Sequence, residues 1–323
     1  MPVIFSTHIL HPQVTARLQA AGSYRVASSP TAEAIMAEGL DAGILIVRAP
    51  IPEAYFTAAK GLRAAVRHGA GLDMIPVDVA TATGVLVANV PGVNAITVAE
   101  HAIFAAIGLL RQFRAMDLAL RNEGWAEGRA YSDQGRDLSG CTIGIFGMGN
   151  IGRELTRLAR AFGMKIMATT RRPESLPDDV EAVTLDALCA RSDVLVLCCP
   201  LNSETRGAIN ASRIASMQPG SVLINVSRGP VVDTAALIEA LRLRRILGAA
   251  LDVFDTQPLP GDHPLFNLDN VILTPHMAGI TEDSMLRMGM GAADETMRIL
   301  AGEFPLNFCN PDVSGLYRSR FPA

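Results

Sequence analysis

Short runs that are almost wholly apolar alternate along the chain with longer stretches in which apolar residues recur every three to four positions. From Cys141 onward the runs are TIGIF (Thr142–Phe146), KIMAT (Lys165–Thr169), VLVLCC (Val194–Cys199), SVLINV (Ser221–Val226), GAALDV (Gly248–Val253) and VILTP (Val271–Pro275). Strands covered by helices on both faces have this near-continuous apolar character. The intervening stretches carry helix punctuation. DTAALIEALR from Asp233 opens on Asp and Thr, and a helix ending near Phe162 is followed by Gly163. The pattern predicts a doubly wound α/β domain.

The first hundred residues repeat the style on a smaller scale, with VIFST (Val3–Thr7), GILIV (Gly43–Val47), RAAVR (Arg63–Arg67) and VLVAN (Val85–Asn89) as strands. Thr97–Leu120 reads as one long helix joining the halves, continuing through RNEGWAEG as an arm over about residues 97–130. A last helix is expected from about Thr281 to Ala301, before a Pro-rich tail that returns to the first half. The expected organisation is two doubly wound domains. Residues 1–98 and 293–323 form one, residues 99–292 are inserted as the other, and a cleft lies between them.

Composition narrows the chemistry. With 49% apolar and 19% charged residues over 323 positions, the chain buries large cores and is not a disordered tail. A net charge of −4 without a basic run disfavours nucleic acid as a partner. No apolar run approaches the ~18 residues of a membrane span, and MPVIFSTHIL lacks the basic n-region of a secretion signal. The five cysteines have no metal-like spacing and read as small hydrophobes in a reducing cytoplasm. Lys60 and Lys165 are the only lysines, and no tyrosine has a lysine four positions later, which removes Tyr-x-x-x-Lys reductase chemistry. His-Glu-x-x-His and paired Cys-x-x-Cys are absent, so no metal site is expected. A general acid near neutral pH therefore comes from His8, His11, His68, His101, His263 or His276.

GMGNIG spans Gly147–Gly152 directly after the TIGIF strand and opens a helix. This is the G-x-G-x-x-G dinucleotide arrangement in its required context. Gly147 permits the tight turn, Gly149 the approach of backbone to pyrophosphate, and Gly152 the packing of helix on strand. NAD-binding domains place an acid about 20 residues further on, against the adenosine ribose. Here the next strand runs into Thr170, Arg171 and Arg172, with no acid before Glu174. A guanidinium pair suits a ribose 2′-phosphate, so NADP(H) is the preferred cofactor and NAD(H) a possible one.

Seven segments then resemble, in order and spacing, the D-isomer specific 2-hydroxyacid dehydrogenases, the group that includes glyoxylate/hydroxypyruvate reductases. They are RHGAGLDMIPVD (Arg67–Asp78), NVPGVNAITVAEHA (Asn89–Ala102), GMGNIG, CCPLNSET (Cys198–Thr205), LINVSRGPVVD (Leu223–Asp233), GAALDVF (Gly248–Phe254) and TPHMAG (Thr274–Gly279). The resemblance implies two Rossmann-like domains, a nucleotide domain inserted into a flavodoxin-like substrate domain, and a homodimer contacting through Thr97–Leu120. It implies Arg228 as the anchor of the substrate carboxylate and carbonyl, and His276 as the proton donor. Arg48, Ala49, Ala70, Gly71 and Asn94 join Arg228 around the substrate. Asn150, Ile151, Cys199, Pro200, Thr205, Val226, Ser227, Asp252, His276 and Gly279 join the glycines and Thr170–Arg172 around the cofactor.

One position departs from the family. Its usual glutamate, five residues after the Asp of the LDVF motif, is here Gln257. An amide oxygen still accepts the ring N–H of His276 and fixes the tautomer, but supplies no charge to raise its basicity. Asp255 nearby is a candidate substitute. A Gln–His pair also resembles formate dehydrogenases, which keeps formate oxidation as an alternative, although those chains have a longer N-terminal region. A nicotinamide-sensing corepressor of the same fold is a second alternative, although such proteins carry extra partner-binding tails. The leading expectation is reduction of a small 2-oxoacid, glyoxylate or hydroxypyruvate, to the D-2-hydroxyacid.

Overall fold

The structure, a computed structural model, describes residues 2–322. They gather into two compact units, one ending at Asn94 and resuming at Ile280, the other comprising Ala95–Gly279.

The first unit is built on a parallel sheet of β1 (Val3–Ser6), β2 (Ser23–Val26), β3 (Ile44–Val47), β4 (Ala64–Arg67) and β5 (Leu86–Ala88) in the order β2-β1-β3-β4-β5. Alternating residues supply two apolar layers. Ile4, Ile44, Ile46, Val66 and Leu86 pack with Val14 and Leu18 of helix Pro12–Ala21 and with Ala292, Ala293 and Ile299 of helix Glu282–Leu300. Phe5, Leu45, Ala65 and Val87 pack on the other face with Ile35, Tyr55 and Phe56. Each such fully buried Leu, Ile, Val or Phe stabilises the unit by about 1.5–3 kcal/mol. The edge strand β2, SYRV, has no fully buried residue, so its sequence offers no apolar run by which to predict it.

Helix Glu282–Leu300 lies wholly in this unit, whereas the boundary expected at residue 293 divides it. Its first half is as engaged as its second. Met288 is buried, and a Cβ on Gly289 would sit 2.6 Å from Val14 Cγ2. A capping box, Thr281 with Ser284, starts it.

The second unit holds seven parallel strands, β6 (Thr142–Phe146), β7 (Lys165–Thr169), β8 (Val180–Ala182), β9 (Val194–Leu197), β10 (Val222–Asn225), β11 (Gly248–Leu251) and β12 (Val271–Leu273). Their order is β12-β11-β10-β9-β6-β7-β8. The order reverses between β6 and β9, the point at which open α/β sheets bind ligands beyond the carboxyl ends of their strands. The short edge strand β8, VEA, buries only Val180 and likewise offers no apolar run.

The single helix expected over Thr97–Leu120 is two. Ala95–Leu110 ends, Gln112 takes a left-handed φ of 50°, and Phe113–Asn122 and Trp125–Ala130 follow as separate helices. The Arg114 guanidinium secures the turn through the carbonyls of Leu268 (3.1 Å) and Val271 (3.2 Å). Both halves keep helical periodicity, so the pattern alone cannot show the break. Among the described residues no helix is long and apolar enough to cross a membrane.

Candidate functional site

In the second unit the carboxyl ends of β6, β9, β10, β11 and β12 share one sheet edge, and most of the predicted site residues gather there. Gly147 has φ 108°, and a Cβ on it would lie 2.8 Å from backbone atoms of Cys199. Gly152 would meet the Gly147 carbonyl oxygen at 2.3 Å. Both must be glycine to close the turn. Gly149 is different, because nothing stands within 4 Å of its missing Cβ. It caps helix Asn150–Ala161 without a side-chain hydrogen bond. The first-turn amides at Asn150 and Ile151 thus have no capping side chain, as at a helix end that receives a pyrophosphate.

Pairing of Phe146 with Thr169 sets Thr170, Arg171 and Arg172 beside that turn. Arg171 and Arg172 are exposed. The Thr170 hydroxyl accepts the Arg172 amide at 3.4 Å. After β9, Cys198 Sγ donates to the Gly147 carbonyl (3.0 Å), while the Thr205 hydroxyl donates to the Pro200 carbonyl (2.7 Å) and shapes the turn between them. Burial pushes the Cys199 thiol up to about 11 and raises Cys198 as well. These are uncharged, unreactive thiols.

His276 stands on the loop after β12 with φ 55°, a conformation a non-glycine residue adopts only when its surroundings hold it. Asp252, at the end of β11 and 3% exposed, supplies the hold. Its carbonyl accepts the His276 amide (2.8 Å). Its Oδ1 accepts the Thr274 hydroxyl (2.6 Å) and the Met277 amide (2.8 Å), and its Oδ2 the Ala278 amide (2.9 Å). Gln257 approaches from the loop after β11. Its Nε2 donates to the Phe254 carbonyl (3.4 Å), which turns Oε1 to His276 Nδ1 at 2.9 Å. An amide oxygen only accepts, so this network assigns the Nδ1–H tautomer. The Asp255 carboxylate is engaged elsewhere, accepting the Thr234 hydroxyl at 2.6 Å.

Arg228 follows β10 in extended backbone and is half-buried, with Nη1 donating to the Ser227 carbonyl (2.6 Å). The next residue, Gly229, packs so closely that a Cβ would lie 2.0 Å from the Phe254 carbonyl carbon. The loops bearing Arg228 and Gln257 are therefore locked together. Buried Val226 and Ser227 and half-buried Gly279 complete this edge.

In the first unit Arg48 and Ala49 follow β3, and Ala70 and Gly71 follow β4. Arg48 donates its amide to Thr7 Oγ1 (2.9 Å) and Nη1 to the Ile9 carbonyl (3.1 Å). Arg67 was not singled out from the sequence, yet it organises the loop. Its Nε donates to the Gly71 carbonyl (3.0 Å) and Nη1 to those of Val47 (2.8 Å) and His68 (2.9 Å). Asn89 Nδ2 holds the Ala70 carbonyl at 2.7 Å. Buried beside these guanidinium groups, His68 has its pKa pushed down to about 4, chiefly by burial and then by Arg48. Asn94 is half-buried at the last position before the second unit begins. Among the described residues no group of three or more His, Cys, Asp or Glu side chains is placed to hold a metal ion.

Fold and site together define a nicotinamide-dinucleotide protein, and residues 103–278 match the D-isomer specific 2-hydroxyacid dehydrogenase NAD binding domain. The chain belongs to that family. It is 36% identical to a glyoxylate reductase of Thermofilum pendens over 84% of this chain and 82% of that one. It is 35% identical to a D-3-phosphoglycerate dehydrogenase of Mycobacterium tuberculosis over 94% of its own length, but spans only 58% of that relative. Its fold superposes on an NADPH-dependent glyoxylate/hydroxypyruvate reductase of Sinorhizobium meliloti with a TM-score of 0.86 and 30% identity, covering 96% of this chain and 99% of that one.

Proposed function

We propose that the protein is an NADP(H)-preferring reductase of a small 2-oxoacid of the glyoxylate or hydroxypyruvate kind, forming the D-2-hydroxyacid. The observation that carries the reading is the His276–Gln257 pair, held by Asp252 at the same sheet edge as the open dinucleotide turn. When bound, the reduced nicotinamide supplies a hydride to C2 of the substrate. Arg228 holds the carboxylate and stabilises the developing alkoxide by charge-assisted hydrogen bonds. With Nδ1–H given to Gln257, the imidazolium form of His276 delivers its Nε2 proton to that alkoxide and is left as the neutral Nδ1–H tautomer. Arg48, Ala49, Ala70, Gly71 and Asn94 are proposed substrate-binding residues. The absence of an acid before Glu174 and the exposed Arg171 and Arg172 support NADP(H).

A homodimer is proposed as well. Phe104, Phe113, Leu118 and Trp125 are 55–75% exposed along the three helices from Ala95 to Ala130. Such a patch suits a second copy of the chain. Five unpaired thiols accord with a cytoplasmic setting.

Initial rates with NADPH and NADH against glyoxylate, hydroxypyruvate, pyruvate and phenylpyruvate test the reading, with formate oxidation run beside them. NADPH-dependent reduction of one oxoacid is the expected result. Formate oxidation without oxoacid reduction would transfer the assignment to formate, which the uncharged Gln257 partner suits. Silence on both, with tight cofactor binding, would point to a sensor.

A further inference from the structure

We propose that Asn225 is the positioning residue that presents Arg228, a role that rests on the substrate-anchoring function proposed for that arginine. Strand β10 is apolar at Val222, Leu223 and Ile224 and then ends on this amide, which is 1% exposed. A buried carboxamide costs stability unless its hydrogen bonds are made, and here three are. Oδ1 accepts the Ser227 amide (3.0 Å) and the Ser227 hydroxyl (2.7 Å), and Nδ2 donates to the Arg228 carbonyl (3.0 Å). One planar group thus fixes backbone on both sides of the 227–228 peptide. The Arg228 guanidinium in turn donates back to the Ser227 carbonyl, so its direction is set by a peptide whose plane Asn225 dictates. Strand pairing anchors Asn225 itself, because its carbonyl accepts the Asp252 amide at 3.1 Å.

The chemistry requires an amide. A carboxylate at 225 keeps both acceptors for Ser227 but has no donor for the Arg228 carbonyl, and two oxygens then oppose each other. A protonated carboxyl restores the pattern, its O–H replacing Nδ2–H. The ionisable groups around this position are Arg228, which adjoins it, Asp252, whose amide the Asn225 carbonyl accepts, Cys199, which hydrogen-bonds Ser227, and Asp255 and His263, which line the same small cavity as Asn225.

The test uses the full-length protein as Asn225→Ala and Asn225→Asp, with KM and kcat for the oxoacid compared with wild type at each pH. Asn225→Ala raises KM by about tenfold or more, the scale of one lost contact's worth of alignment, with thermal unfolding confirming that it folds. Asn225→Asp matches that defect at neutral pH, and its KM relative to wild type falls back as the pH is lowered. Unchanged KM in both variants, or equal defects at every pH, would overturn the role. If wild type reduces no oxoacid, the functional reading has failed on its own. The side-chain Nε relaxation of Arg228 by NMR then decides, with greater mobility in Asn225→Ala expected and unchanged mobility contradicting the proposal.

Discussion

His276 Nδ1 and Gln257 Oε1 stand 2.9 Å apart, and the amide that faces the imidazole is itself turned by the Phe254 carbonyl. The ring has an oxygen acceptor where the family's carboxylate would stand, yet without a negative charge. The nearby Asp255 carboxylate accepts the Thr234 hydroxyl through Oδ2.

Replacing Gln257 by Glu adds a charge and keeps an acceptor for His276 Nδ1, while giving up the longer bond to the Phe254 carbonyl. A carboxylate in contact with an imidazole favours the imidazolium, by about one to three pKa units for a close pair. The alkaline limb of the pH profile for oxoacid reduction moves up accordingly, because the protonated histidine persists to higher pH. An unmoved limb in Gln257→Glu would show that the charge at this position does not govern His276.

Asp252→Asn presents one acceptor and one NH2 where the loop offers a hydroxyl and two amides. At least one donor of the set Thr274, Met277 and Ala278 loses its partner, and His276 loses the restraint that keeps φ at 55°. A displacement of about 1 Å in a reacting group costs on the order of a hundredfold in rate. The loss is expected mainly in kcat, and steady-state kinetics at saturating cofactor measures it.

Arg171 and Arg172 are tested by the double change to Ala. Losing two charge-assisted contacts to a 2′-phosphate raises KM for NADPH by about tenfold or more, while KM for NADH stays within about twofold. Equal effects on the two cofactors would remove these side chains from the phosphate site.

His68 makes stability depend on pH. Its folded pKa of about 4 lies below the unfolded value of 6.5, so between those pH values the unfolded chain binds the extra proton. The stabilising contribution is complete above pH 6.5 and is lost as the pH falls toward 4, roughly 3 kcal/mol at most. Chemical denaturation of wild type and His68→Leu across this range measures it. The variant is expected to show the shallower decline.

Trp125, 75% exposed, and Phe113, 58% exposed, lie in the proposed self-association patch. Changing both to Ser is expected to shift the mass measured by light scattering from two chains to one. A wild-type protein already monomeric at micromolar concentration would dispose of the proposal.

What the sequence disclosed follows from how each feature is encoded. The central strands were legible because burial on both faces demands uninterrupted apolar runs, as in β9 and β10. Edge strands β2 and β8 make no such demand and stayed hidden. The glycine turn, Arg228, His276 and Gln257 were legible as short motifs, and the structure brings the His–Gln pair within hydrogen-bond distance. Arg67 was harder, because its work consists of hydrogen bonds to carbonyls that no spacing rule reveals, and Asp252, although expected beside the cofactor, gave no sign in the sequence of its bonds to the His276 loop. For Asn225 the sequence does carry a signal, a lone polar residue closing an apolar strand. The break at Gln112 had none, since a left-handed residue between two helical stretches leaves the periodicity intact.

The return of the chain through helix Glu282–Leu300 also bears on biogenesis. Ala292, Ala293, Ile299, Val313 and Tyr317 belong to the same apolar layer as Ile4, Val14 and Leu18. As the nascent chain leaves the ribosome, every strand of the seven-stranded sheet emerges before those residues do. The inserted unit has all its parts first, and the five-stranded unit, although its strands precede that unit in the chain, must wait with one face of its sheet incompletely covered until Ala292, Ala293, Ile299, Val313 and Tyr317 have followed.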